Sequence, residues 1–230
     1  MTPEENEMNF KGIVNQNIYL NAKLRYDLPA NDFPDKIIKE LTRMFFNMWK
    51  DNISSRTDSI ILGAKEKELL RYCFDWCICS PDFKGDLRKG LYIASKQGFG
   101  KDAVLNTIVQ FYNYFIFNIR EYTYPDFCTK WFESEPYRFN TPLKITDIYD
   151  NGKMKREKES IPFLELLDFR EQVGNMRGLL VSSNYRPEAL QELLEPDKVV
   201  KRLHERVKEC FNIIVIEGTE SKRIESIKVI

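Results

Sequence analysis

Residues 90–102 read Gly-Leu-Tyr-Ile-Ala-Ser-Lys-Gln-Gly-Phe-Gly-Lys-Asp. The apolar run at Gly90–Ala94 is too short for a helix and fits a buried strand. A glycine-bearing loop follows, from Ser95 to Lys101. Beyond it, from Asp102 to about Asn118, Val104, Leu105, Ile108, Val109, Tyr112, Phe115 and Ile116 recur at helical spacing. Apolar residues cover a wide surface of that helix, so it must be deeply buried. The local order is strand, glycine loop, helix.

The rest of the chain repeats the alternation. Helical periodicity marks Asp35–Trp49, Lys65–Cys79, Pro162–Val173, Pro187–Leu194 and Pro196–Phe211. Strand candidates lie at 126–134, 142–149, Gly178–Asn184 and Asn212–Glu217. Strands alternating with helices predict a three-layer α/β sandwich around a mostly parallel sheet. Residues 1–60 are expected to form an N-terminal arm with one helix. Residues 61–230 are expected to form the main domain, without a separate C-terminal helical lid.

Composition bounds the chemistry. The 230 residues carry 35 basic and 35 acidic side chains, one histidine and 43% apolar residues. That is too apolar and too balanced for a disordered chain. His204 alone cannot build a two-histidine zinc site or a histidine relay. Zero net charge removes any global electrostatic case for nucleic-acid binding. The five cysteines are odd in number, and Cys73, Cys77 and Cys79 crowd one helix beside Leu69, Leu70 and Trp76. They read as buried core thiols of a reducing, cytoplasmic compartment. The polar N-terminus and interrupted apolar runs predict neither a signal peptide nor a membrane span.

The loop carries the chemistry. In the pattern G-x-x-x-x-G-K-[ST], backbone amides and a helix N-terminus surround phosphates, a lysine reaches the outer phosphates, and a hydroxyl helps hold Mg²⁺. Gly100 and Lys101 match the second glycine and the lysine, and Gly98 matches an additional glycine. Ser95 stands at the first glycine, and Asp102 stands at the hydroxyl position. A strand before the loop and an apolar helix after it are the context that this motif requires.

Four further segments follow in order. They are an apolar run closed by acids (Leu143 to Tyr149), an amphipathic helix (Phe163 to Asn175), Leu-Leu-Val-Ser-Ser-Asn-Tyr-Arg-Pro-Glu-Ala-Leu (179–190), and residues 200–223 with Arg202, Arg206 and Arg223. Together with the loop they resemble the helicase-loader family of AAA+ ATPases, the DnaC type with its transposition relative IstB. The resemblance covers about residues 65–223. It implies an AAA+-like P-loop fold with ATP and Mg²⁺ as cofactors. Ser95, Gly98, Phe99, Gly100, Lys101, Asp102 and Arg223 would contact nucleotide, and Asp102 and Asp147 would hold the metal. Asp147 would align with the acid that polarises water, with Thr146 at the position of the metal-ligating acid; another register makes Asp147 the metal-associated acid and leaves no catalytic acid. Asn184 would orient water. Arg202, with Arg206 second, would act as a finger in a neighbouring subunit of a homo-oligomer. Implied partners are a replicative helicase or transposase and single-stranded DNA, with Lys153, Lys155, Arg156 and Lys158 as candidate contacts.

The departures point to weakened hydrolysis. Asp102 brings a carboxylate towards triphosphate oxygens, and unit charges ~4 Å apart at an effective dielectric of ~20 repel by about 4 kcal/mol. The stretch between the loop helix and the Leu143 run leaves little room for a further strand and helix. Two readings stand side by side. One is an ATP-binding protein with weak or lost hydrolysis. The other is a non-catalytic adaptor that keeps the fold to bind a replication or transposition partner.

Overall fold

The computed structural model describes residues 34–54, 63–96, 98, 100–115, 118–148, 160–189, 198–218 and 224–229. These fall into two compact units. One holds the residues up to Leu87 together with Asn106–Asn118; the other holds Arg88–Leu105 and the residues from Ile119 onward.

The first unit is helical. Helix α1 (Asp35–Ser54) starts where the Pro34 carbonyl accepts from the amides of Ile37 and Ile38. Helix α2 is Ala64–Cys77, and α3 is Lys101–Phe115, whose residues from Asn106 belong here. Phe45 packs edge-on against Phe74 and Phe111, with ring centroids 5.6 and 5.4 Å apart. Cys73, Cys77 and Cys79 are buried and form no disulfide. Burial pushes the Cys73 thiol far above the ordinary thiol range.

The second unit is a six-stranded sheet. Its elements are β1 (Gly90–Ser95), the start of α3, β2 (Arg120–Thr123), α4 (Tyr124–Glu133), a 3₁₀ turn (Pro136–Phe139), β3 (Leu143–Ile148), α5 (Ser160–Gln172), β4 (Leu179–Ser183), α6 (Lys198–Cys210), β5 (Phe211–Gly218) and β6 (Ile224–Val229). The strand order is β2-β3-β4-β1-β5-β6. The pairs β2–β3, β3–β4, β4–β1 and β1–β5 are parallel, and β6 runs antiparallel to β5. Insertion of β4 between β1 and β3 makes the carboxyl ends of these three strands contiguous. Every residue of β1 and β4 is buried, as expected of strands covered on both faces. Tyr92 and Ala94 of β1 and Leu179 and Val181 of β4 join Phe127 and Trp131 of α4, Phe163 and Leu167 of α5, and Leu203 and Val207 of α6 in one apolar cluster.

Residues 126–134 are not a strand. Thr123 caps α4: its hydroxyl oxygen accepts from the Asp126 amide (3.4 Å), and Pro125 sits in the first turn. Tyr124, Phe127 and Trp131 then form its buried face. Cap, proline and spacing together outweigh the β-propensity of the aromatic residues. With β2, α4 supplies a strand-and-helix pair between α3 and β3, so the stretch is long enough. Strand β2 has a short, mostly exposed edge sequence with no apolar alternation. Strand β6 escapes a two-residue pattern because its register with β5 skips a residue between Ile224 and Ser226.

Two polar devices hold the helices on the sheet. Arg170 is fully buried and donates to the carbonyls of Phe139 (2.6 Å), Thr141 and Asn175 (2.9 Å). It thereby fixes the turns that lead into β3 and out of α5. Arg206 of α6 pairs with Asp168 (2.9 Å) and Glu171 of α5 and with Glu209 (2.7 Å). The hydrogen bond from Arg206 holds the Glu171 carboxyl below the usual carboxylate range.

Two outcomes follow from this packing. A Cβ at Gly90 would meet the Leu179 carbonyl oxygen at 2.4 Å and Phe211 Cδ1 at 2.9 Å. Gly90→Ala is expected to destabilise by about 1–3 kcal/mol, read as a lower urea midpoint; an unchanged midpoint contradicts this packing. Glu171 has a depressed folded-state pKa, so its contribution is present above the unfolded carboxylate pKa and lost as pH falls through the folded one. Arg206→Ala should therefore cost stability at pH 7, of the order of 1 kcal/mol because Glu171 is half exposed. The gap from wild type should shrink in acid; a gap that grows on acidification rules out this role.

Candidate nucleotide site

The site forms at the carboxyl edge of β1, β4 and β3, where open parallel sheets place their ligands. From β1 the chain enters the glycine loop. Gly98 and Gly100 have φ of +93° and +85°, and a Cβ at either would meet nothing within 4 Å. Glycine is needed there for its backbone torsion, not for space. The Gly100 carbonyl accepts from the Val104 amide at 3.1 Å and begins α3. Ser95 is buried, and its hydroxyl donates to the Lys96 carbonyl at 3.0 Å.

Lys101, the first residue of α3, is only 3% exposed. A buried ammonium needs an acceptor and countercharge, and it has one hydrogen-bond acceptor and two nearby carboxylates. Its Nζ donates to Asn184 Oδ1 at 2.8 Å and lies 3.8 Å from both Asp102 Oδ2 and Asp147 Oδ1. The loop after β1, the end of β3 and the residue after β4 thus converge on one cation. One lysine and two aspartates leave the cluster with a formal charge of −1.

Asp147 reaches this point through an irregularity. The β3–β4 register shifts between Ile145 and Ile148, and Asp147 has φ of +58°. The extra residue re-aims its side chain, as bulges beside functional sites do. Thr146 takes no part: its hydroxyl donates to the Tyr122 carbonyl on β2 at 3.5 Å.

Two serines of the 179–190 segment, to which the sequence assigns no role of their own, complete the site. Ser182 Oγ donates to Asp102 Oδ1 at 3.2 Å and accepts from the Asp147 amide at 3.4 Å. Ser183 Oγ donates to the Ile148 carbonyl at 2.8 Å and accepts from the Tyr185 amide at 3.1 Å. Both side chains are fully buried. The available signal was a pair of hydroxyls ending an otherwise aliphatic strand.

Not every expected residue is brought together. Arg206 is held within its own unit by three carboxylates, as a helix-to-helix tie. Arg202 lies on α6, and its side chain is outside the described residues. Phe99, Arg223, Lys153, Lys155, Arg156 and Lys158 also lie outside them. Among the described residues, no cluster of three or more His, Cys, Asp or Glu can hold a metal, and no helix is long and apolar enough to cross a membrane. Asp102 and Asp147 supply two carboxylates, a donor set of the oxygen type that Mg²⁺ takes beside phosphate oxygens and water.

No protein-family model matches the chain, and no curated protein matches its sequence. Solved structures do. The AMPPCP-bound DnaA from Aquifex aeolicus is 15% identical with a TM-score of 0.53, covering 71% of this chain and 50% of that one. A replication initiator DnaA bound to AMPPCP and single-stranded DNA gives 16%, 0.53, 71% and 50%. DnaI gives 17%, 0.52, 76% and 93%. The chain thus spans about half the length of the DnaA structures that it matches. Strand order and these likenesses agree: the chain has a mostly parallel α/β fold similar to that of the DnaA and DnaI structures.

Proposed function

We propose that this protein binds a Mg²⁺–nucleoside triphosphate at the Lys101 cluster and serves DNA replication, as a relative in architecture of DnaA and DnaI. The observation that carries the reading is the meeting of Lys101, Asp147 and Asn184 at the carboxyl edge of three adjacent parallel strands. The amides of the loop and of the α3 N-terminus, with Lys101, would take the phosphates. Ser95, Gly98, Phe99 and Gly100 belong to that loop, and Arg223 would approach from the end of the chain. Asp102 and Asp147 would take the cation, which neutralises phosphate charge when bound.

Binding and turnover are separable here. Lys101 must exchange part of its contact with Asp102 and Asp147 for phosphate, so the resting site is held closed on itself. Asp147 is the single acid of β3, and it would share its carboxylate between lysine and metal. That leaves water activation weak. Asn184 would orient water, and Arg202 of a second copy would be needed to stabilise transferring charge. Such a finger is worth about 10³–10⁵ in rate, so an isolated chain is expected to turn over slowly or not at all. A replicative helicase is the partner that the DnaI likeness favours, with single-stranded DNA a second. The adaptor reading draws on the same ion pair: in it, Asp102 would stay beside Lys101 in place of a phosphate.

Titration of a fluorescent ATP analogue tests this. Wild type is expected to bind saturably with Mg²⁺ and roughly ten- to hundredfold more weakly without it, since metal-free triphosphate meets a net negative cluster. Lys101→Ala should abolish binding, and Asp102→Thr should lessen the metal dependence. Absence of saturable binding by folded wild type would sink the reading in favour of an adaptor.

A further inference from the structure

We propose that Arg186 reads the terminal phosphate, so that the site distinguishes a nucleoside triphosphate from a diphosphate. This rests on the nucleotide-binding reading above.

Position comes first. Arg186 lies two residues beyond Asn184, whose Oδ1 holds Lys101 Nζ at 2.8 Å. The backbone on its N-terminal side is fixed. The Tyr185 amide donates to Ser183 Oγ at 3.1 Å, and the Tyr185 carbonyl accepts from Tyr92 Oη at 2.9 Å. Pro187 on its other side is buried. The Arg186 side chain itself is 47% exposed and pairs with Glu217 Oε1.

Glu217 lies on β5, and β4 and β5 flank β1. Ser95, the last residue of β1, pairs with Ile216, the residue before Glu217. The Arg186–Glu217 pair therefore crosses the carboxyl end of β1, a span of about 10 Å between the outer two of three strands. The loop 95–101 leaves from that same end of β1.

The chemistry fits that position. The Lys101 cluster is formally negative, and a triphosphate needs a further cation. A guanidinium presents a planar fork of donors that matches phosphate oxygens. Glu217 does not depend on Arg186 alone, because Lys228 Nζ of β6 lies 3.3 Å from its Oε2. Arg186 can move to a phosphate while Glu217 stays paired. Glu217 is thus the resting partner, and the terminal phosphate is the partner in the bound state.

The test measures affinities of Mg²⁺-bound fluorescent ATP and ADP for wild type, Arg186→Ala, Arg186→Lys and Glu217→Gln. Melting temperatures confirm that each variant is folded. Arg186→Ala should weaken ATP roughly ten- to hundredfold and leave ADP within about threefold. Arg186→Lys keeps the charge without the fork and should recover part of the ATP affinity. Glu217→Gln removes the competitor and should tighten ATP while leaving ADP unchanged. If Arg186→Ala weakens ATP and ADP alike, or neither, the arginine is only a structural strap and the proposal fails. If Arg186→Ala does not fold, Arg186→Lys and Glu217→Gln decide it: equal effects on both nucleotides overturn it. A wild type that binds neither nucleotide overturns the site reading itself, whereas one that binds both without discrimination by these variants overturns this inference alone.

Discussion

A lysine ammonium buried at the edge of a sheet is the constraint on which the rest depends. Lys101 is 3% exposed, and an unpaired charge there would be strongly unfavourable. The fold meets the need with groups from the ends of two strands and from the lysine's own helix. Asn184 follows β4, Asp147 ends β3, and Asp102 is the next residue of the same helix. Asn184 and Asp147 arrive because β4 is inserted between β1 and β3. The bulge at Asp147, the hydroxyl bridge of Ser182 between Asp102 and the Asp147 amide, and the Ser183 link to Ile148 hold that end of the sheet in one geometry.

The same contacts describe a site poised against its own lysine. In a loop with a neutral hydroxyl after the lysine, the cluster would carry one carboxylate fewer. Here Asp102 shares Lys101 with Asp147, and Ser182 orients the Asp102 carboxylate by its other oxygen. A divalent cation and a triphosphate bring charges of both signs, and together they complement what the cluster lacks and what it holds in excess. A free triphosphate does not. The balanced composition of the chain, 35 basic against 35 acidic residues, makes this local arrangement the relevant electrostatics.

The glycine loop was legible because strand, glycines, lysine and apolar helix are contiguous in sequence. Lys101, Asp147 and Asn184 were legible as motif residues, but their meeting was not, since it depends on strand order. Ser182 was missed because its role comes from register: it sits between Asp102 and Asp147 only once β4 pairs with β3. Helix α4 reads as a strand at 126–134 because the aromatic residues Tyr124, Phe127 and Trp131 suit a strand as well as a helix, and its cap at Thr123 lies before that segment. Strands β2 and β6 lie at the two sheet edges, where half-exposed, polar sequences lose the apolar signal. Arg186 offered no signal at all, because its partner Glu217 lies 31 residues away on a strand that is not its neighbour.

The most direct measurement of the central claim is a crystal structure grown with AMPPCP and Mg²⁺. The account predicts phosphates on the amides of the loop and α3 N-terminus, Lys101 Nζ turned from Asp102 towards a phosphate oxygen, and the cation between Asp102 and Asp147. A structure from saturating nucleotide with Lys101 still on both aspartates and no nucleotide at the loop would contradict it.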